Sequence, residues 1–163
     1  MNPFDTVIEN NGAVISGPFR HPRQMLQHQT YEAHASIHDD SMAQELGFSG
    51  APIEGPTHFS QFEPLLYSLF GQAWYEHGCI SSHYQNMVVE GEEVRAFAEK
   101  QNTNSATIWA EKRDGTPVLS GTASIGPSHP KTALDERRER LRPSEQLIIM
   151  ADVEVGMRSD GKE

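Results

Sequence analysis

Residues 53–78, IEGPTHFSQFEPLLYSLFGQAWYEHG, form the one long apolar run of the chain with helical spacing. Gly55-Pro56 marks its beginning and Gly78 marks its end. Large apolar side chains recur within it at steps of three and four residues, which places them on one broad stripe of a helix. These residues are Phe59, Phe62, Leu65, Leu66, Leu69, Phe70 and Ala73. The spacing predicts a mostly buried central helix over about residues 57–77.

The first turn of this predicted helix has two possible forms. Thr57 and Ser60 are both good N-cap residues. Pro64 lies four residues beyond Ser60, where its ring and its missing N–H disfavour the interior of a helix. Either a first turn from Thr57 kinks at Pro64, or the regular helix begins near Ser60.

The chain after Gly78 has the alternation and the turn residues of β-strands. Asp114-Gly115 is a strong hairpin signal, and the other connections are also short, which favours antiparallel pairing. Upstream, Asp39 or Asp40 is expected to cap a short helix over residues 41–46, closed by Gly47. One long helix ahead of antiparallel strands predicts an α+β fold. The predicted strands are residues 13–16, 80–89, 93–100, 106–112 and 118–125.

Composition limits the function classes. The chain has 163 residues and a formal charge of −10, which argues against binding to nucleic acid or to an anionic membrane surface. No apolar run approaches the ~20 residues of a membrane span. A single cysteine, Cys79, excludes an internal disulfide and fits a reducing compartment. We therefore expect a cytoplasmic protein with no nucleic-acid or membrane partner.

Three segments differ in character along the chain. Residues 1–30 are loop-like, with one short strand, and residues 31–126 carry the central helix and most of the strands. Residues 127–163 combine a charged helix over 132–142, which Pro143 ends, with an apolar run over 147–155. We expect this apolar run to pack on the sheet or on a partner subunit.

Two stretches carry a family resemblance. Residues 37–62, IHDDSMAQELGFSGAPIEGPTHFSQF, resemble the hydratase segment of MaoC-like hot-dog proteins. Residues 88–100, VVEGEEVRAFAEK, resemble the strand–Gly-Glu/Asp–strand hairpin that follows the helix in that family. The resemblance implies a hot-dog domain over 31–126, with an antiparallel sheet wrapped around the central helix. It also implies a homodimer that hydrates or dehydrates an acyl thioester, bound to CoA or a carrier protein, without a cofactor.

The chain departs from the family at one catalytic position. The hydratases share a G-D-x-N-P-x-H pattern, and placing its final histidine on His38 puts Ala33 at the aspartate. The histidine is kept and its usual carboxylate is missing. A replacement would have to come from Asp39, Asp40, Glu32 or Glu54, and Asp40, two residues from His38, is the preferred candidate. The alternative role of Asp40 is the N-cap of the short helix.

The candidate site residues follow from this comparison. A neutral imidazole at His38 can act as general base and acid, with Asp40 as its partner. Gly55 and His58, at the mouth of the helix, would line the pocket for the thioester carbonyl. Arg95 would contact the carrier phosphates, although a solvated surface position is the plainer expectation for it.

Glu63 opens two alternatives. As an acid in the first helical turn it would satisfy backbone N–H groups, yet some hot-dog thioesterases use a helix carboxylate to activate water. Thioester hydrolysis through Glu63 is therefore a second candidate function. A non-catalytic hot-dog domain that binds a ligand or a partner is the third.

Histidine spacing and aromatic residues suggest no further site. His34 and His38 are four residues apart, but their segment is predicted to be extended and no cysteine or acidic set completes a metal site. We predict no metal. Four aromatic side chains are expected to fill the core or an interface. They are Trp74, Tyr75, Tyr84 and Trp109.

Overall fold

A six-stranded antiparallel sheet is the framework of the computed structural model, which describes residues 3–25, 36–143 and 152–158. Its strands lie in the order β1-β2-β4-β5-β6-β3. Their bounds are β1 Glu9–Asn11, β2 Val14–Ser16, β3 Gly78–Tyr84, β4 Val94–Lys100, β5 Ser105–Lys112 and β6 Pro117–Ile125. The helices are α1 Asp40–Glu45, α2 Gly55–Phe59, α3 Glu63–Phe70, α4 Gln72–His77 and α5 Ala133–Glu139.

The predicted central helix is present but divided into α2, α3 and α4. Regular α3 begins at Glu63, so Pro64 falls in its first turn, where the missing N–H has no partner to lose. Gly71 separates α3 from α4 with φ 59° and ψ −143°, a conformation that glycine adopts without steric cost. Gly78 follows the last residue of α4, as predicted.

The core lies between the sheet and this helical layer. Val94, Ala96 and Ala98 alternate with more exposed residues along β4, and their side chains are buried in the same cluster as Phe62 and Leu66. The small alanine side chains leave room on the inner face for the larger ones of the helix. The predicted α+β hot-dog architecture, an antiparallel sheet around a central helical layer, is confirmed.

The pairing of β3 differs from the sequence prediction. β3 pairs with β6 at the edge of the sheet and does not neighbour β4, so the two are not joined in a hairpin. The strand predicted over 80–89 ends at Tyr84. The reason is that residues 88–89 pair elsewhere: Ile53 N donates to Val88 O at 2.8 Å, and Val89 forms an isolated antiparallel bridge with Pro52. This segment therefore faces the residues that lead into α2.

The two short flanking helices are found close to their predicted positions. The Asp39 side chain caps α1 by accepting from the backbone N–H groups of Ser41 and Met42, and Gly47 follows with φ 87°. Thr132 and Asp135 form a capping box at the start of α5.

Two predictions fall partly or wholly on residues that the structure does not describe. Ala33 lies outside the described residues, as do 147–151 of the apolar run predicted to pack. Of the rest of that run, Val153 and Val155 are exposed. Within the described part of the chain, no helix is both long and apolar enough to cross a membrane.

Candidate functional site

A cleft of about 380 Å³ lies where residues 85–88 face the lead-in to α2. We call it the main cleft. The polar side chains in its wall include those of His58 and Tyr84. Its apolar wall is formed by Ile37, Phe48, Pro52, Ile53, Met87 and Val88. Such a surface suits an apolar ligand that is held in place by a few polar contacts.

His58 is the buried titratable residue of this wall. It lies in α2 with 3% of its surface exposed. Burial lowers the pKa of His58 because it disfavours the charged imidazolium, and the nearby Glu54 carboxylate partly opposes this by raising it. The imidazole is consequently neutral at neutral pH. Its Nδ1 has no hydrogen-bond partner among the described residues.

Glu54 precedes this histidine by four residues and carries a carboxylate whose charge acts on it. It occupies the N-cap position of α2 and is 7% exposed. Its Oε1 accepts a hydrogen bond from the backbone N–H of Met25 at 3.0 Å. The segment that ends at Met25 therefore helps to fix the carboxylate. Glu54 is thus a buried acid whose charge acts on a histidine of the main cleft.

The other proposed replacement carboxylates have different surroundings. Asp39 is the N-cap of α1. Asp40 Oδ1 accepts from Ala51 N at 2.8 Å, so its carboxylate fastens α1 to the loop that leads into α2. Glu32 lies outside the described residues. Among the described candidates, Glu54 is the one whose charge acts on His58.

His38 is attached to the wall of the main cleft through Pro52. Its Nδ1 lies 2.8 Å from Pro52 O, which also accepts from Gln24 Nε2 at 2.6 Å. A carbonyl oxygen only accepts hydrogen bonds, so Nδ1 carries the proton. In the neutral ring Nε2 is then the lone-pair nitrogen, the tautomer that a base at Nε2 requires. Within the described residues, no hydrogen bond or ion pair joins His38 to Asp40, the predicted catalytic pair.

Tyr84 approaches Gly55 closely at one end of the cleft. A Cβ atom built on Gly55 would lie 2.6 Å from Tyr84 Oη, so the hydroxyl occupies the space that a side chain would need. The ring also lies near His58, with centroids 6.2 Å apart. Burial raises the pKa of Tyr84, which keeps its hydroxyl protonated and able to donate. The site therefore contains Gly55, His58 and a tyrosine hydroxyl together.

Glu63 and Arg95 are placed away from the lining of the main cleft. Glu63 Oε2 accepts from the indole Nε1 of buried Trp74 at 3.0 Å. Arg95 lies on β4 among the residues that alternate with its buried ones, hence on the outer face of the sheet. Its Nε donates to Gly17 O at 2.7 Å and its guanidinium pairs with Glu9. These contacts explain both positions without a ligand.

The sequence prediction did not select Tyr84 and ranked Glu54 below Asp40. Tyr84 was expected to fill the core or an interface, whereas it is 48% exposed and lines the main cleft. A signal was present for each residue. Tyr84 ends a strand just before a polar turn, and Glu54 directly precedes the Gly-Pro helix start. No group of three or more potential metal-ligating side chains occurs in the described ranges.

Comparisons with known proteins found solved structures that are similar to part of this chain. Neither a protein-family model nor a curated protein matches this sequence. One similar structure is described as an (R)-hydratase from A. caviae involved in PHA biosynthesis. Its sequence identity is 20% and its TM-score 0.38, over 58% of this chain and 79% of that one. Another is the ChsH1-ChsH2 complex from Mycobacterium tuberculosis, with 19% identity and a TM-score of 0.36 over 59% and 72% of the respective chains.

Proposed function

We propose that the protein hydrates or dehydrates an acyl thioester, with the acyl group bound in the main cleft. The observation that carries this proposal is the buried neutral imidazole of His58 in an apolar wall, under the influence of the Glu54 carboxylate. A base for water and a mainly apolar surface for an acyl chain are the two requirements of this reaction. Glu54 is proposed to replace the carboxylate that the resemblance leads us to expect at position 33, where this chain has Ala33.

The proposed hydration uses one proton carrier. His58 accepts a proton from water as the water oxygen bonds to the β-carbon of a 2-enoyl thioester. The π electrons of the double bond move toward the thioester oxygen, and the Glu54 carboxylate stabilises the imidazolium that forms. The imidazolium then returns its proton to the α-carbon, which leaves a 3-hydroxyacyl thioester. Dehydration is the same sequence in reverse.

Tyr84 and Gly55 are proposed to act on the thioester carbonyl. The protonated Tyr84 hydroxyl would donate to the oxygen on which negative charge develops, a role that stabilises the transition state. Gly55 has no side chain and therefore leaves room for that hydroxyl. His38, through its Nε2 lone pair, is proposed as a second group for handling protons, and Asp40 as the residue that positions the loop beneath it.

We also propose a homodimer. β3 is an edge strand of seven residues, and no described strand pairs with its outer side. An open edge of this length is a ready surface for pairing with a second copy. Sedimentation equilibrium is expected to give twice the chain mass, and a monomer at micromolar concentration would contradict this part of the proposal.

The activity is tested by incubating the purified protein with 2-enoyl-CoA and 3-hydroxyacyl-CoA thioesters and following gain or loss of one water by mass spectrometry. We call this gain or loss of water by the thioester water exchange. His58→Gln keeps the shape of the ring edge and removes the base, so we expect the rate to fall by about 10²–10⁴-fold. His77→Gln is the matched control, because His77 is exposed at the end of α4. His38→Gln and Glu63→Gln are measured beside them.

The outcomes separate the candidate functions. Water exchange that depends on His58 and is unaffected by His77→Gln supports the proposal. Release of free CoA that disappears in Glu63→Gln would favour thioester hydrolysis instead. Thermal stabilisation by the thioesters without either product would favour a binding domain, and water exchange unaffected by His58→Gln would overturn the assignment of the base.

A further inference from the structure

A second cleft, of about 470 Å³, lies against α2 and the segment of residues 19–23. We call it the arginine cleft. Arg20, His21 and Arg23 line it from the N-terminal segment, while Thr57 and Gln61 line it from α2 and the turn that follows. Thr57 and His58 are neighbours in sequence, so one short helix contributes to both clefts.

The two arginines of this cleft carry uncompensated charge. Arg20 donates to the neutral hydroxyl Thr6 Oγ1 at 2.9 Å, and Arg23 has no hydrogen-bond or ion-pair partner among the described residues. By contrast, Arg95, Lys112 and Arg113 are each paired with a glutamate. A local excess of positive charge in a chain of net charge −10 attracts an anion to this position.

Two residues that line the cleft have buried polar atoms for which the described part of the chain supplies no partner. Thr57 Oγ1 and Gln61 Oε1 are buried, and neither has a hydrogen-bond partner among the described residues. A buried polar atom that lacks a partner is costly, so a bound group is expected to complete it. Thr57 has a hydroxyl donor, and the Gln61 amide can turn its NH₂ group inward, because amide orientation is set by the hydrogen-bond network.

Glu93, which lies near His21 of this cleft, is already paired with another arginine. His21 Nε2 lies 3.5 Å from Glu93, and Glu93 is also paired with Arg113 outside the cleft lining. The charge of Glu93 is therefore already balanced. Two arginines, a hydroxyl and an amide line the same cleft and together offer several donors to phosphate oxygens, since guanidinium binds phosphate with paired N–H donors.

We infer that the arginine cleft binds a phosphate group. This inference deepens the proposed function, on which its choice of source rests: the phosphate belongs to the carrier of the acyl thioester, coenzyme A. Free phosphate has the same chemistry and is the second source to be distinguished. Recognition here separates the carrier from the acyl group, which the main cleft holds against other residues of α2.

The test is isothermal titration calorimetry on the full chain with three probes: coenzyme A, pantetheine, which has no phosphate, and inorganic phosphate. We expect coenzyme A to bind, with affinity that falls about tenfold to hundredfold in Arg20→Ala and in Arg23→Ala. Arg137→Ala, which removes the same charge from an exposed position on α5, is the matched control and should bind as the wild type does. Arg23→Lys should retain part of the affinity.

Each outcome bears on the inference. Arginine-dependent binding of coenzyme A with weak binding of pantetheine supports the carrier as source. Arginine-dependent binding of inorganic phosphate alone supports the phosphate site and assigns it to the free anion. Equal binding of all probes by wild type and both alanine variants, or no binding of any phosphate probe, overturns it. Because titration needs no turnover, these results stand apart from failure of the water-exchange assay.

Discussion

Replacing Gly55 by alanine tests the close approach that holds Tyr84 over the main cleft. An added Cβ would lie 2.6 Å from Tyr84 Oη, 3.0 Å from Cζ and 3.3 Å from Cε2, all short of the 3.4 Å at which ordinary contact begins. The backbone of Gly55 is not in the left-handed region, so alanine is allowed there by its own dihedral angles. The collision with Tyr84 is therefore the dominant effect of the substitution.

The magnitude follows from two opposing contributions. Alanine in place of glycine at a helical position stabilises by roughly 0.5–1 kcal/mol, because the unfolded chain loses less entropy on folding. Overpacking costs about 1–3 kcal/mol. Tyr84 is 48% exposed and can swing outward, which keeps the cost in the lower part of that range. We expect a net loss of about 1 kcal/mol, or roughly 2–4 °C in Tm for a chain of this size.

A double-mutant cycle isolates the contact. In a Tyr84→Ala background the added Cβ meets no tyrosine ring, so Gly55→Ala should become neutral or stabilising there. The expected coupling energy between the two positions is about 1–2 kcal/mol, measured by urea denaturation. Gly17→Ala is the control for the glycine effect alone, because a Cβ on Gly17 would meet nothing within 4 Å.

Additivity would refute the reasoning. If the effects of Gly55→Ala and Tyr84→Ala sum to that of the double variant within about 0.5 kcal/mol, the two residues do not interact as the structure places them. Gly55→Ala should also lower the water-exchange rate, since the displaced Tyr84 hydroxyl no longer reaches its place in the cleft. An unchanged rate would remove Tyr84 from the proposed mechanism.

Two further predictions concern buried polar groups. The folded-state pKa of His58 is lowered from 6.5, so below about that pH the unfolded chain binds more protons than the folded chain, and the free energy of unfolding should fall as the pH drops further. In urea denaturation at several pH values, His58→Gln should make this dependence of stability on pH less steep. An unaltered dependence would contradict the burial of this imidazole. Glu63→Leu removes the acceptor of the buried Trp74 indole N–H and should lower the free energy of unfolding by about 1–3 kcal/mol, while Glu63→Gln, which keeps an acceptor oxygen, should lower it clearly less. Equal losses of stability in the two variants would argue against this hydrogen bond.

Local patterns predicted most of the secondary structure. Alternation at Val94, Ala96 and Ala98 identified β4, and the Asp114-Gly115 turn separated β5 from β6. Those signals are short-range, because side-chain period and turn chemistry are properties of a few adjacent residues. The break at Gly71 was missed because an apolar stripe continues across it, and periodicity alone does not report a glycine conformation.

The pairing of residues 88–89 required tertiary structure. Their sequence is as suitable for a strand as that of β4, but their hydrogen bonds go to residues 52–53, more than thirty positions earlier in the chain. Pairing between residues so far apart in sequence depends on how the helical layer packs on the sheet. The same pairing brings Met87 and Val88 to the main cleft.

The sequence by itself determined the fold class and the central apolar helix, because each follows from the spacing and the identity of neighbouring residues. Only the tertiary structure decided which acid stands near a cleft histidine. Glu54 is buried beside His58 through packing of α2 and a hydrogen bond from Met25, 29 positions away in sequence. The burial of both side chains depends on such long-range contacts, so the spacing that favoured Asp40 beside His38 did not predict it.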